Sequence, residues 1–115
     1  MNKTLDIKQL GERLRAIRID LGLTQKDIAA ELGIVQSMVS KVERGEPVMS
    51  NTIMLFFMYY CGKININYLL SENFDITQKD SLYDISFSMN SIVKAKLQMM
   101  QEEFNRNMET VQKLI

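Results

Sequence analysis

The segment TQKDIAAELGIVQSMVSKVERG, residues 24–45, constrains the fold more than any other part of the sequence. Its first residue, Thr24, is a favoured N-cap, and Asp27 can reach back to complete a capping box. Apolar residues at helical spacing then lead to Gly33, which can adopt the positive φ that ends a helix abruptly. A second helix is expected over residues 36–44, with two valines on its inner face and a polar outer face. The pattern therefore predicts two short helices joined by a tight turn.

Two helices joined in this way can place the second one in the major groove of DNA. The segments GLTQKDIAAELGI (22–34), SMVSKVERG (37–45) and INYLL (66–70) closely resemble the helix-turn-helix domain of the lambda-repressor and Cro family, also called the xenobiotic-response-element family. The resemblance covers roughly residues 6–72 and implies an all-α fold with a five-helix lambda-repressor-like DNA-binding domain. The alternative is an ordinary helical hairpin in an unrelated bundle.

The resemblance implies that the start of the second helix reads the edges of DNA bases. Glutamine can bind adenine N6 and N7 together, lysine can reach guanine O6 or N7, and serine accepts several bases. A valine stands where relatives usually carry the Ser or Thr that caps this helix, so a cap worth about 1 kcal/mol is missing. Its methyl groups could instead touch a thymine methyl. The candidate base-reading residues are Gln36, Ser37, Lys41 and, for the thymine contact, Val35.

Other positions match the family's contacts to the DNA backbone or its internal ion pair. Arg18 and Glu43 stand where the family often forms an ion pair between helix 1 and the end of the recognition helix. Gln25 matches a position that grips phosphate, and nearby basic or amide side chains are candidates for further backbone contacts. For each of these side chains the alternative is a solvated surface position. The phosphate candidates are Gln25, Lys26, Arg44, Arg13 and Asn51.

Length and composition exclude several classes of protein. A chain of 115 residues can form one modest core with some residues left over. There is no apolar run of membrane-spanning length and no signal-peptide core, so we expect a cytoplasmic protein. One cysteine and no histidine argue against an internal disulfide and a zinc site. The absence of a nucleophile with a nearby base argues against an enzyme, and we expect no metal, no cofactor and no small-molecule ligand.

The charge balance is unusual for a DNA-binding protein. Residues 1–75 carry nine Lys or Arg and nine Asp or Glu, and residues 76–115 carry five of each. Non-specific attraction to the phosphate backbone should therefore be weak. The loop of residues 46–51, where many relatives carry Lys or Arg, contains neither. A strong site would then require two copies of the domain acting together.

Helix 1 is predicted to begin after Asp6, an N-cap with Gln9 at the capping-box position. Its apolar residues recur at spacings of three and four, which forms a single stripe that faces the core. Gly22 is expected to end this helix. The stripe consists of Ile7, Leu10, Leu14, Ile17 and Leu21.

Helix 4, expected over residues 51–61 with Ser50 as its cap, is apolar or aromatic on every face. An ordinary surface helix would have a polar stripe, so one side is assigned to the core and the other to a partner. The core side consists of Ile53, Phe56, Phe57 and Tyr60, and the partner side of Met54, Leu55, Met58 and Tyr59. Cys61 is interpreted as an inert core thiol, and Asn65 as the cap of a short helix 5.

The predicted organisation has three parts. Residues 1–72 form the DNA-binding domain, residues 73–81 form a hinge, and residues 82–115 form a long C-terminal helix for dimerisation. Apolar residues in that last helix recur at heptad positions, and a single helix cannot bury such a seam. We expect it to form a homodimer, with packing back onto helix 4 as the alternative. The seam contains Val93, Leu97, Met100, Phe104, Val111 and Leu114.

The sequence therefore favours a dimeric transcriptional regulator, a repressor that recognises an inverted repeat in double-stranded DNA. Repression is inferred from the absence of any recruiting domain in the sequence. The alternative is an antitoxin-like or anti-repressor adaptor, in which helix 4 and the C-terminal helix bind another protein. The neutral charge favours this second hypothesis.

Overall fold

A computed structural model describes residues 5–85, 95–96, 98–103 and 105–106. Every regular element in these residues is helical, as the sequence predicts, and no helix among them is long and apolar enough to cross a membrane. The described residues after position 94 are also helical. The helices of the first range are α1 (Ile7–Asp20), α2 (Gln25–Leu32), α3 (Gln36–Glu43), α4 (Ser50–Tyr60), α5 (Ile66–Leu69) and α6 (Lys79–Leu82).

Capping boxes start the first two helices, as predicted. The Asp6 carboxylate accepts a hydrogen bond from the Gln9 backbone N–H at 2.7 Å, and the Asp6 N–H donates to Gln9 Oε1 at 3.1 Å. Thr24 and Asp27 form the same pair of bonds at the start of α2. These bonds satisfy backbone donors that a short helix otherwise leaves unpaired, and they fix where each helix begins. The cap predicted for α4 was wrong: Met49 occupies the N-cap position, and Ser50 is the first helical residue.

The core lies between α1, α2, α3, α4 and α5, and apolar side chains from all of them meet there. Three residues of the predicted stripe on α1 are buried, and Leu21 packs against the cluster. Ile7 is the exception: it is the first residue of α1 and is 40% exposed. The buried apolar residues are Leu10, Leu14, Ile17, Ile28, Ala29, Val39, Val42, Phe56, Tyr60, Cys61, Ile64, Ile66, Leu69 and Leu82.

Gly11 allows α1 and α3 to approach closely. A Cβ atom at this position would lie 2.4 Å from the Val42 carbonyl oxygen and 2.7 Å from that of Glu43. Both are backbone atoms at the end of a helix, and they cannot turn away as a flexible side chain could. Glycine is therefore required by the packing of α3 onto α1, a reason that helical periodicity does not indicate.

Helix α4 is only partly as predicted. Phe56 and Tyr60 are buried, and Ile53 and Phe57 pack against the core. Tyr59, assigned to the partner side, also packs against the core, and its ring meets that of Tyr60 edge-on at 5.0 Å. The aromatic ring is large enough to reach the core from the flank of the helix, while part of the side chain stays exposed. Met54, Leu55 and Met58 are each partly exposed.

The segment predicted as a hinge packs onto the domain instead. Leu82 at the end of α6 is completely buried, and its carbonyl accepts a hydrogen bond from the Asn65 N–H at 2.7 Å. Phe74 stacks on Tyr68, with 5.6 Å between ring centroids. Asp20 at the end of α1 accepts hydrogen bonds from Lys79 and Tyr83. Because α5 has only four residues, α6 is needed to cover the end of the core.

The predicted helix start at residue 82 is corrected as well. Helix α6 ends at Leu82, and residues 84–85 are not helical. The described helical residues of the C-terminal part begin at position 95. Of the predicted dimer seam, only Met100 lies within the described residues, where it is exposed. The other seam residues, Val93, Leu97, Phe104, Val111 and Leu114, lie outside them.

Candidate nucleic-acid interface

Helix α3 presents one polar face to solvent. Val39, Val42 and Glu43 are buried, and at 100° per residue the opposite side of the helix carries Ser37, Lys41 and Arg44. Gln36 lies toward the α2 flank of this face. All four polar side chains are exposed, as is Val35 immediately before the helix. The predicted base-reading residues therefore share one accessible surface.

The C-terminal end of α3 is fixed to α1 by the Arg18–Glu43 ion pair that the resemblance implied. Arg18 Nε donates to Glu43 Oε2 at 2.7 Å, and Nη2 donates to Oε1 at 3.1 Å. Nη1 of the same guanidinium donates to the Leu23 carbonyl at 2.9 Å. Only 3% of the Glu43 side chain is exposed. Hydrogen bonding to Glu43 raises the pKa of Arg18, so the guanidinium stays charged at any ordinary pH.

Gln25, in α2, hydrogen-bonds both to this buried carboxylate at the end of α3 and to Gln36 at its start. Its Nε2 donates to Glu43 Oε1 at 3.0 Å. An ionised carboxylate can only accept hydrogen bonds, so the amide nitrogen of Gln25 must face inward and its oxygen outward. Gln36 Nε2 donates to that oxygen at 3.5 Å, the long limit of a hydrogen bond. The position matched to phosphate gripping thus supports the Gln36 amide in this structure.

The other predicted phosphate contacts differ in their surroundings. Lys26, in the first turn of α2, is exposed. Arg44 is also exposed and pairs with Glu46 and Ser40. Such surface pairs are weak, so a phosphate could compete for the guanidinium. Asn51, in the first turn of α4, has a buried Oδ1 without a hydrogen-bond partner in the described part of the chain.

Arg13 does not fit the predicted phosphate contact, because its guanidinium is bonded within the domain. Its Nη1 donates to the Leu69 carbonyl at 2.6 Å and to the Ser71 carbonyl at 2.8 Å. Its guanidinium also lies 5.0 Å from the centre of the Phe74 ring. These contacts satisfy carbonyl groups at the end of α5 and hold the following segment against α1. The sequence pattern did not indicate this role, because the partners lie more than fifty residues away.

An apolar groove on the other flank of α3 was not predicted either. It runs between the helix and the loop that follows, and Met38, Lys41, Pro47, Val48 and Met49 line it. Met49 is 68% exposed and Val35 is 65% exposed. The exposed polar face of α3 therefore has an amide pair on its α2 flank and an apolar groove on its loop flank, with Lys41 bordering that groove.

No cluster of three or more potential metal ligands occurs in the residues that the structure describes. Tyr60, buried beside the ion pair, has a raised pKa because burial disfavours its ionised form. The phenol is thus neutral and contributes to the packing around Glu43.

Comparison with known proteins agrees with this geometry. Residues 9–62 match a family model described as a helix-turn-helix domain. The match covers most of α1 and all of α2, α3 and α4. No significant match was found among the curated proteins or among the solved structures. Residues 9–62 are thus similar to a helix-turn-helix domain, a type of domain that suggests DNA as the partner, and residues 63–85 pack against them from outside the matched span.

Proposed function

We propose that this chain is a sequence-specific DNA-binding transcriptional regulator of the lambda-repressor and Cro type, acting as a dimeric repressor at an inverted repeat. The observation that carries the proposal is the outward face of α3. Its polar side chains are exposed together, and the Gln36 amide is oriented from the protein interior through Gln25 and Glu43. A side chain that is oriented before binding loses less entropy when it pairs with a base.

The donor and acceptor pattern supports adenine as the base read by Gln36. Because one N–H of its amide points to Gln25, the oxygen and the second N–H remain available. That pair matches the N6 donor and N7 acceptor of adenine in the major groove. Lys41 is suited to guanine, whose O6 and N7 both accept hydrogen bonds, and Ser37 to either purine.

Backbone contacts are proposed for the first turn of α2 and the end of α3. Lys26 lies beside the N-terminus of α2, where free N–H groups and the helix dipole favour a phosphate. Arg44 can exchange its exposed pair with Glu46 for a phosphate oxygen. These contacts would set the register of the domain on the duplex, whereas Gln36 and Lys41 would supply the specificity.

Dimer formation is proposed on two grounds. The equal numbers of positive and negative residues provide little non-specific affinity, so a single domain would bind weakly. The heptad pattern in the C-terminal part predicts a helix that requires a partner, and Met99 and Met100 are exposed there. Two recognition helices related by a twofold axis would contact half-sites about 10 bp apart.

One observation favours a second candidate, the protein-binding adaptor. The loop after α3 carries no Lys or Arg, and α4 keeps Met54, Leu55 and Met58 partly exposed. A small protein that covers these side chains would bury apolar area without requiring DNA. In this case co-purification with one stoichiometric partner is expected, and DNA selection should fail.

Selection of duplexes from a random pool by the purified full-length chain tests the proposal. An enriched inverted repeat with half-site centres about 10 bp apart is the expected result. A single enriched half-site would retain DNA reading and remove the dimer. Absence of enrichment at low salt would reject the DNA-binding function and leave the adaptor as the better account.

A further inference from the structure

We infer that the apolar groove beside α3 binds the 5-methyl group of a thymine, next to the base that Lys41 contacts. Met49 is the main reading residue, and Met38 forms the other wall. The inference rests on the proposed DNA-binding function and deepens it, because it assigns a specificity residue in the loop where many relatives carry Lys or Arg and this chain carries neither.

The groove is continuous with the exposed polar face of α3, which carries Ser37, Lys41 and Arg44. Lys41 is exposed on that face and also lines the groove, so a duplex that reaches Lys41 lies against both. Met38 is one helical position around from the base-reading side, between Lys41 and the buried Val42. The loop therefore meets α3 on the flank opposite to Gln36 and Gln25, and the two flanks contact neighbouring bases.

The chemistry of the lining selects the ligand. Four of the five lining residues are apolar, and the single charged one is a cation. A phosphate would gain nothing from Pro47, Val48 and Met49, which also supply no free cation. The major groove carries one apolar group, the thymine methyl, and it lies on the base edge within reach of a side chain there. Lys41 adds a positive charge that complements the surrounding DNA.

The packing of the described residues does not explain why the Met49 side chain is exposed. It occupies the N-cap position of α4, yet it forms no side-chain capping bond, and 68% of it is open to solvent. An unbranched thioether side chain can adjust its shape to a small apolar group, as methionine does at other adaptable surfaces. Burying one methyl group against it should improve DNA affinity about three- to fivefold.

The test uses the full-length chain and the duplex obtained by selection. Each thymine in a half-site is replaced in turn by deoxyuridine, which removes only the methyl group. We expect one position, adjacent to the guanine contacted by Lys41, at which the change weakens binding about three- to fivefold. In Met49→Ser this difference should disappear, while the affinity for the deoxyuridine duplex stays that of the unmodified protein.

Two variants serve as controls. Met99→Ser removes a methionine of nearly equal exposure, 67%, from the C-terminal part and should keep the full effect of the methyl group. Val35→Ser removes an exposed apolar side chain at the other end of the same α3 surface and should keep it as well. Thermal unfolding of Met49→Ser should show a Tm no lower than that of the unmodified protein, because the side chain is exposed and a serine at this N-cap position can cap α4.

The outcomes separate this inference from the function it rests on. Selective duplex binding without any effect of deoxyuridine overturns the methyl contact and leaves the DNA-binding proposal intact. An effect that persists in Met49→Ser but disappears in Val35→Ser assigns the methyl group to Val35 and overturns the groove. If no duplex is selected, the DNA-binding proposal fails and this inference fails with it.

Discussion

Among the described residues, Glu43 is the charged residue whose side chain is buried. Its two carboxylate oxygens fix the orientation of the side chains that donate hydrogen bonds to them. One oxygen accepts from Arg18 alone, and the other is shared by Arg18 and Gln25. Removing one member of such a pair leaves an unpaired buried charge, which is why pairs of this kind are sensitive to substitution. At the residue scale, the buried Glu43 carboxylate thus orients Gln25, and Gln25 in turn orients Gln36 on the exposed face of α3.

The first residue-scale prediction concerns Gln36 and its support. Gln36→Ala should cost about 1–3 kcal/mol at the selected site and relax the preference for one base. Gln25→Ala should relax the same position, because the Gln36 amide then loses its fixed orientation. Base-preference profiles from repeated selection would measure both. Asn67→Ala, which removes an exposed amide from α5, is the control. Unchanged profiles in both glutamine variants would contradict the adenine contact.

The second residue-scale prediction concerns the uncapped start of α3. Val35 has the extended backbone of an N-cap, with φ −77° and ψ 149°, but no side-chain oxygen to accept a backbone N–H. Val35→Ser should therefore stabilise the domain by about 1 kcal/mol, which raises Tm by roughly 4–8 °C. Val35→Ala removes the valine without adding a cap and should give no such rise. Equal thermal stability of the two variants would show that the serine does not cap the helix.

At the scale of elements, α6 and the segment before it complete the domain. Arg13 bonds to the end of α5, Tyr68 and Phe74 stack, and Leu82 fills the last gap in the core. The described structural unit therefore extends to residue 85, well past the span that matches the helix-turn-helix model.

Leu82 provides the test of this extension. Leu82→Ala should destabilise the domain by about 2–5 kcal/mol because it leaves a cavity in the core. Leu70→Ala, at a position 44% exposed in the same region, should change stability by less than about 1 kcal/mol. Urea unfolding curves would compare them. If both substitutions cost equally little, the segment is a hinge as the sequence suggested.

The stability that the domain gains from the contact between α1 and α6 should decrease both in acid and in alkali. Hydrogen bonding to Lys79 and then Tyr83 lowers the pKa of Asp20 below 3.8, its ordinary value. Its contribution to stability is present above that value and is lost as the pH falls through the lower folded pKa. Burial, and then the bond to Asp20, raises the pKa of Tyr83 from 10.0 to about 12. Because the unfolded state ionises first, stability should fall as the pH rises from about 10 to 12.

Two conservative variants check the signs of these effects. Asp20→Asn should show a shallower loss of stability in acid than the unmodified protein, and Tyr83→Phe a shallower loss in alkali. Both are measured as midpoints of urea unfolding across the pH range. Identical acid profiles for Asp20→Asn and the unmodified protein would show that this carboxylate is not held by α6.

At the scale of the whole molecule, the proposed dimer is a response to the charge balance. With 14 basic and 14 acidic residues, the chain lacks the overall attraction that retains many DNA-binding proteins on the duplex. Two domains bound to adjacent half-sites would compensate, because the second binds at a high effective concentration.

Sedimentation at micromolar concentration would test this arrangement. We expect a dimer, and we expect Met100→Glu, on the predicted seam, to shift the protein toward monomer and to weaken binding to the full inverted repeat more than to one half-site. Met99→Glu, beside the seam and similarly exposed, is the matched control. A monomer that still binds the inverted repeat tightly would contradict the dimer.

The sequence by itself determined the all-α class, both capping boxes, the apolar stripes and the polar face of α3, because each follows from contacts between residues at most a few positions apart. Tertiary structure decided the rest. Gly11 is explained only by the carbonyl groups of α3, Arg13 only by those of α5, and Tyr59 only by the core that it reaches. The segment predicted as a hinge, residues 73–81, is polar in composition, yet Phe74 within it packs against the core and Leu82 directly after it is buried. Its partners are distant in sequence, and local composition carries no information about them.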